Sequence, residues 1–300
     1  MYEATETTRE GYLPLRDGWI WYRALGIHHE APPLLVLHGG PAAGSAYLES
    51  LAVLAEHRSV IFYDQLGCGR SEEPFDPTLW RIERFVEELA EIRQLLNLQN
   101  FYLFGHSWGG WLAIEYLLTQ PGGVLGAILA STSASLREYC QGLAELRRAL
   151  PPDLMLAMER GEALSDYESP VYKAALLEFY NRHLCRLQPW PPVIMENVRH
   201  LASNSAYRTL QGPNELVITG NLKDWDRTER LGELKLPVLV TVGRYDEATP
   251  ACAATLQRLL PDARLAVFEN SAHMPHLEEQ DAYIKQIEAF LQHLDTNKAM

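Results

Sequence analysis

The fold is decided by the stretch Phe101-Tyr102-Leu103-Phe104-Gly105-His106-Ser107-Trp108-Gly109-Gly110. An apolar run leads directly into the pattern Gly-x-Ser-x-Gly, and residues 111–118 continue it with a helix-compatible sequence. Strand, tight turn and helix are the context in which a serine sits on a strained turn above a sheet edge. The small residues Gly105 and Gly109 would let strand and helix approach closely, and the positive end of the helix dipole would point at the hydroxyl. We therefore predict that Ser107 is a catalytic nucleophile.

The bulk properties are those of an ordinary globular protein. A length of 300 residues suits one α/β domain with an insertion, and 47% hydrophobic with 22% charged residues is typical of folded soluble chains. The net charge of −13 argues against a nucleic-acid-binding surface. Because no apolar run is long enough to span a bilayer, we expect no membrane partner.

The termini and cysteines predict a cytoplasmic protein. The N-terminal residues Met1–Glu6 have neither a basic nor an apolar signal region, so no secretion signal is expected. The cysteines are widely spaced and lack a Cys-x-x-Cys pair, which predicts reduced thiols and neither a disulfide framework nor a zinc site. They are Cys68, Cys140, Cys185 and Cys252.

Short apolar strands alternate with amphipathic helices, which predicts an α/β fold with a mostly parallel sheet covered by helices on both faces. An opening hairpin over residues 10–25 would turn at Asp17-Gly18. Further strands are predicted at 33–37, 59–63, 125–129, 236–242 and 264–268, and helices at 80–98 and near the C-terminus.

The pattern changes between residues 135 and 228. This segment contains no convincing strand, is helical in character and rich in aromatic residues, and is interrupted at Pro189–Pro192. We therefore predict an α/β core of residues 1–134 and 229–300, with an inserted helical cap of residues 135–228.

Serine nucleophiles need a base, and the base needs an orienting carboxylate. In this architecture the order along the chain is Ser, acid, His, each at the C-terminal end of a strand. Asp246 follows one predicted strand and His273 follows the next. His276 is an alternative base, but His273 lies closer to the strand end and is preferred.

The reaction also needs backbone donors for the developing oxyanion. The amide of Trp108, directly after the serine, should be one. The other should come from the loop His38-Gly39-Gly40-Pro41, with Gly40 as the first choice and Gly39 as the second.

Three motifs together resemble the proline iminopeptidase family of α/β-hydrolases. They are His38-Gly39-Gly40-Pro41, Asp64-Gln65-Leu66-Gly67-Cys68-Gly69-Arg70-Ser71 and Gly105-His106-Ser107-Trp108-Gly109-Gly110. Within the predicted cap, Gly212-Pro213-Asn214-Glu215, residues 219–225 and Trp190-Pro191-Pro192 resemble the branch that includes the archaeal tricorn-interacting aminopeptidase. The resemblance runs from about Leu34 to the C-terminal helix and implies an α/β-hydrolase fold.

In that branch, glutamates bind the free amino group of the substrate. The resemblance implies this role for Glu215 and for Glu247, which adjoins the predicted acid Asp246. An α-ammonium has a pKa near neutrality, and carboxylates stabilise its charged form. The chain departs from the family pattern twice: Ala42 follows His-Gly-Gly-Pro where the family usually has glycine, and His106 occupies a position that is often small.

The resulting prediction is a serine aminopeptidase that releases N-terminal amino acids from short peptides or amino-acid amides, with no metal or organic cofactor. An amidase, esterase or tailoring hydrolase of an amine-bearing metabolite would use the same residues, and a ligand-sensing hydrolase is a further alternative. Epoxide or haloalkane hydrolysis is disfavoured because it needs a carboxylate at position 107. The oligomeric state is left open.

Overall fold

The chain opens with an antiparallel hairpin at the edge of the sheet. The computed structural model describes residues 7–298, and within it β1 (Thr8–Leu15) pairs with β2 (Gly18–Leu25). Gly18 already pairs with Leu15, so the turn consists of Arg16 and Asp17, one residue earlier than predicted. Gly18 is the first residue of β2 because the β1–β2 ladder extends as far as the turn.

Six further strands complete one sheet. They are β3 (Leu34–Leu37), β4 (Val60–Tyr63), β5 (Phe101–His106), β6 (Val124–Ala130), β7 (Val238–Gly243) and β8 (Ala263–Phe268). The spatial order is β1-β2-β4-β3-β5-β6-β7-β8, and every pairing from β4 to β8 is parallel. The mostly parallel sheet predicted from the sequence is therefore confirmed. Strand β5 is central and all its residues are buried.

Helices cover the sheet. They are α1 (Ile82–Leu95), α2 (Trp108–Leu118), α3 (Leu136–Arg148), α4 (Pro152–Leu164), α5 (Pro170–His183), α6 (Pro192–Leu201), α7 (Ser205–Leu210), α8 (Pro250–Leu259), α9 (Pro275–Glu278) and α10 (Gln280–Lys298). Short 3-10 helices span Ala46–Glu56, Pro77–Leu79 and Thr228–Glu233. The α/β architecture is thus the predicted one. The predicted helix at 80–98 is shorter than expected because the chain enters it through the separate 3-10 turn.

Five helices, α3 to α7, fill the segment between β6 and β7. Among the described residues this segment has no strand apart from two isolated bridges, Ser135 with Asp226 and Asn214 with Val217. The predicted interruption at Pro189–Pro192 lies between the end of α5 and the start of α6. Pro192 is the first residue of α6, where its fixed φ suits a helix start.

The segment leaves and rejoins the sheet side by side. The amide of Leu136 donates to Trp225 O at 2.9 Å, and the amide of Arg227 donates to Ala134 O at 2.8 Å. We propose on this basis that residues 135–228 form a cap on a core of residues 1–134 and 229–300. Residues 1–6 and 299–300 of that core lie outside the described part of the chain. The prediction that Met1–Glu6 contains no secretion signal therefore concerns residues that the structure does not describe.

The cysteines lie apart from one another in the described residues, and all four are free thiols there. Over residues 7–298, no helix is long and apolar enough to cross a membrane.

Candidate active site

The serine lies on the tight turn predicted between β5 and α2. Its backbone angles, φ 54° and ψ −120°, are in a region that residues other than glycine rarely adopt. A Cβ on Gly105 would lie 2.3 Å from the carbonyl oxygen of Gly109, and a Cβ on Gly109 would lie 2.2 Å from that of Leu37. Glycine is therefore required at both positions of Gly-x-Ser-x-Gly because strand and helix touch there.

Hydrogen bonds fix the serine backbone and leave its side chain facing a cavity. The Ser107 amide donates to Ala130 O at 2.9 Å. The Ser107 carbonyl accepts from the Thr132 hydroxyl at 2.9 Å and from the Gly110 amide at 2.8 Å. These bonds hold the strained turn, so the hydroxyl is presented at a fixed position.

The predicted acid and base meet at the ends of β7 and β8. Asp246 Oδ1 lies 2.7 Å from His273 Nδ1, and both side chains are buried. The same oxygen accepts the Ala248 amide at 2.8 Å, which fixes the carboxylate. Because a carboxylate accepts, Nδ1 carries the hydrogen and Nε2 is left for the chemistry.

The alternative base, His276, is engaged elsewhere. Its Nε2 donates to the carbonyl oxygen of Tyr47 at 3.1 Å, and it does not line the cavity that Ser107 faces. Burial lowers the pKa of His276 to about 3. The geometry thus brings Asp246 to His273, the residue preferred from the sequence.

Ser107 and His273 line the same cavity. Within residues 7–298 no hydrogen bond joins Ser107 Oγ to His273 Nε2. Contacts of this kind are often long until substrate binds, so the arrangement is compatible with the predicted roles.

The two backbone amides preferred as oxyanion donors have no acceptor among the described residues. Trp108 is the first residue of α2, and in the described part of the chain neither its N–H nor that of Gly40 has a hydrogen-bond acceptor. The Gly39 amide, by contrast, donates to the Tyr47 hydroxyl at 2.8 Å. Gly40 is therefore the available donor of the two glycines, in line with the sequence preference.

The loop that follows β3 also contains the first departure from the family pattern. Ala42 is buried and has φ 70°, a conformation that favours glycine. Alanine at this position therefore strains the backbone of the loop.

Both glutamates line the cavity beside the serine. Glu247 Oε1 lies 3.8 Å from His273 Nε2, and Glu247 Oε2 has no hydrogen-bond partner in the described residues. Glu215 accepts from the Tyr207 hydroxyl at 2.7 Å and from the Gln211 amide at 3.3 Å. We refer to Glu215 and Glu247 as the glutamate pair.

The site accumulates negative charge. Burial raises the pKa of Glu215 and that of Glu247. Burial alone would lower the pKa of His273, but the charges of Asp246 and Glu247 outweigh it and raise this pKa to about 9. A cation in the cavity would relieve this repulsion between carboxylates.

The remaining cavity wall is mainly apolar. The cavity measures about 530 Å³, and cap helices contribute much of its surface through Leu176, Tyr180, Ile194, Val198 and Leu201. No group of three or more His, Cys, Asp or Glu side chains among residues 7–298 is arranged to hold a metal ion.

Sequence reasoning missed the residues that hold the predicted ones. His183 of α5 donates from Nδ1 to Tyr245 O at 2.7 Å, and its own carbonyl accepts the Glu247 amide at 3.2 Å. Tyr207 orients Glu215, and Tyr47 holds Gly39. No local signal marks the contacts of His183 or Tyr47, whereas Gln211 and Glu215, four residues apart, offer a weak one.

Comparison with known proteins gives the family. Residues 32–280 match the family described as alpha/beta hydrolase fold. A proline iminopeptidase of Heyndrickxia coagulans is 39% identical over 282 residues, covering 94% of this chain and 98% of that protein. The chain belongs to the proline iminopeptidase family of α/β-hydrolases.

Solved structures agree with this membership. The crystal structure of a Mycobacterium smegmatis proline iminopeptidase has 33% identity and a TM-score of 0.89, and the match covers 97% of this chain and 100% of that one. The structure of VinJ has 35% identity and a TM-score of 0.92, with 95% and 99% covered. The resemblance to the proline iminopeptidase family predicted from the three motifs is confirmed.

Proposed function

We propose that this chain is a serine aminopeptidase that releases N-terminal residues, proline among them, from short peptides and amino-acid amides. One observation carries the proposal: Glu247 is only 1% exposed, its Oε2 has no hydrogen-bond partner among the described residues, and it lines the same cavity as Ser107 and His273. A buried carboxylate oxygen without a donor is costly, and a substrate ammonium group supplies N–H donors together with positive charge. The names of the relatives support the same substrate class.

In the first step, Ser107 Oγ attacks the carbonyl carbon of the first residue while His273 Nε2 takes the hydroxyl proton. Asp246 holds the ring and stabilises the imidazolium that forms. The substrate oxygen becomes an oxyanion, and the amides of Gly40 and Trp108 donate to it.

The tetrahedral intermediate then collapses. The C–N bond breaks, the imidazolium gives its proton to the leaving amine, and an acyl-enzyme remains. Water attacks this ester while His273 takes one of its protons, and the proton returns to Ser107 Oγ as the amino acid leaves. Every proton transfer in this sequence uses a group of this chain or water.

The glutamate pair would make the reaction exopeptidic. Because Glu247 Oε1 is 3.8 Å from the nitrogen that receives the serine proton, a bound ammonium must lie close to the scissile carbonyl. Only the first residue of a peptide has its ammonium so near. We propose that Glu215 shares this role, which extends the likeness to the tricorn-interacting branch. A cytoplasmic location remains a prediction from the sequence.

A panel of aminoacyl anilides tests the proposal, with each compound offered with a free and with an acetylated amino group. We expect turnover of free-amine anilides, strong discrimination against acetylated ones, and no turnover by Ser107→Ala. Equal turnover of free and acetylated compounds would contradict the aminopeptidase role and favour an esterase or amidase.

A further inference from the structure

We propose that Tyr47 and His106 are positioning residues that hold two loops in register on either side of Ser107: the base-bearing loop (residues 269–274, with His273) and the oxyanion loop (residues 38–45, with Gly40). His106 is the second departure from the family pattern, and the mechanism above gives it no role. The proposal rests on the roles proposed for Ser107, His273 and Gly40.

A continuous chain of hydrogen bonds joins the two loops. The Gly39 amide donates to the Tyr47 hydroxyl at 2.8 Å, and this hydroxyl lies 2.8 Å from His106 Nδ1. His106 Nε2 lies 2.8 Å from the carbonyl oxygen of His273. All the residues that these hydrogen bonds join are buried.

The direction of each bond follows from the groups themselves. The His273 carbonyl can only accept, so His106 Nε2 carries a hydrogen. Burial lowers the pKa of His106 well below its ordinary value, so the ring is neutral and Nδ1 accepts. The single hydrogen of the Tyr47 hydroxyl therefore points to His106, and its oxygen is left to accept from Gly39.

The row of hydrogen bonds from Gly39 to His273 acts on both sides of the reaction centre. Gly39 precedes Gly40, whose amide is the proposed oxyanion donor, and a Cβ on Gly39 would lie 3.1 Å from Ser107 Cβ. His106 is joined covalently to Ser107 and hydrogen-bonded to the backbone of the proposed base. A shift of either loop would therefore change the distances that separate the nucleophile from the proposed base and from the proposed oxyanion donor.

A second bond strengthens the link from Tyr47 to the base-bearing segment. The Tyr47 carbonyl accepts from His276 Nε2 at 3.1 Å, and the His276 ring packs edge-on against His106 with centroids 5.3 Å apart. Tyr47 therefore contacts this segment through its side chain, by way of His106, and through its backbone. This accounts for His276 without any proton-transfer role.

The test compares Tyr47→Phe, His106→Gly and His106→Gln by kcat and KM on a free-amine anilide. We expect His106→Gly to lower kcat about 100-fold with KM nearly unchanged, since misplacement of reacting groups by about 1 Å has that effect. Tyr47→Phe should lower kcat about 10-fold, and His106→Gln, which keeps an N–H donor for the His273 carbonyl, should restore part of the loss. In a double mutant, the losses of Tyr47→Phe and His106→Gly should be less than additive.

Tyr63→Phe is the matched control, because Tyr63 is also fully buried and its hydroxyl has no hydrogen-bond partner within residues 7–298. The proposal is overturned if Tyr47→Phe and His106→Gly both keep the kcat of this control. If His106→Gly does not fold, nitrogen NMR of the wild-type protein provides the test. An unprotonated Nδ1 and a protonated Nε2 on His106 would support the proposed row of hydrogen bonds. The opposite tautomer would refute it. Failure of a serine-directed phosphonate to label the wild-type enzyme would instead contradict the proposed function.

Discussion

Glu247 and Asp246 contact opposite nitrogens of the His273 ring, with Glu247 Oε1 3.8 Å from Nε2 and Asp246 Oδ1 2.7 Å from Nδ1. The imidazole therefore lies between two carboxylates that are adjacent in sequence. In the proposed mechanism, Asp246 orients the base and Glu247 faces the atom that accepts the serine proton. That mechanism links recognition of a substrate cation to the basicity of His273 through the side chain of Glu247.

The first prediction concerns pH. The negative charges of Asp246 and Glu247 stabilise the imidazolium and raise the pKa of His273 to about 9, and only the neutral ring can act as a base. For an ester that lacks an amine, kcat/KM should therefore rise with pH through this value. In Glu247→Gln the charge is gone, so the rising limb should move to lower pH by about one unit. A pH profile between about 5 and 10 measures it, and an unmoved limb would show that Glu247 does not influence the base.

The second prediction concerns Asp246. Asp246→Asn removes the carboxylate that fixes the Nδ1–H tautomer and stabilises the imidazolium. We expect kcat to fall by roughly 10³- to 10⁴-fold while KM changes little, as found for orienting acids of this type. Steady-state kinetics on one anilide suffice, and a fall of less than about tenfold would argue that another group orients the base.

The third prediction separates amine recognition from chemistry. Glu215→Gln removes one charged partner of the ammonium, which should lower kcat/KM for free-amine anilides by about 10- to 100-fold, since hydrogen bonds to charged groups contribute about 1.5–3 kcal/mol. Hydrolysis of an ester without an amine should be nearly unchanged. Tyr207→Phe, which removes only the hydroxyl that orients Glu215, should give a smaller loss on the same anilide. Equal losses on both substrate classes would refute the role in amine binding.

The fourth prediction concerns stability. A Cβ on Gly105 would lie 2.3 Å from a backbone oxygen that cannot move without breaking α2, so Gly105→Ala should destabilise the fold by about 3 kcal/mol or more. Gly122→Ala is the control because a Cβ there meets nothing within 4 Å. Its stability should stay within about 1 kcal/mol of the wild type. Urea unfolding of the two variants measures the difference.

Much of the fold and the catalytic order could be predicted because the signals are local. Apolar runs locate the strands, and the ends of parallel strands meet at one edge of the sheet, so Ser107, Asp246 and His273 were expected to converge. The turn after β1 was placed one residue late because the ladder pairing of Gly18 is set by its partner strand. Local sequence could not decide that, among the two glycines, Gly39 is engaged by a hydroxyl.

Other parts of the site depend on contacts between distant segments. Tyr47 and His106 are 59 residues apart, and the sequence around neither residue predicts their hydrogen bond. Glu247 lines the cavity, and its backbone amide donates to the carbonyl of His183 at the end of α5. Such positions depend on how the helices pack after the chain folds, and a single sequence carries no pattern for them.

The paired backbone bonds between Ala134–Leu136 and Trp225–Arg227 have an evolutionary consequence. Because the proposed cap enters and leaves through this one stem, recombination could replace it whole through two neighbouring junctions and leave the sheet intact. Such an exchange would transfer Glu215 but retain Glu247, Asp246 and His273. New substrate preferences could thus arise by swapping half of the amine site, while the hydrolytic apparatus is inherited unchanged.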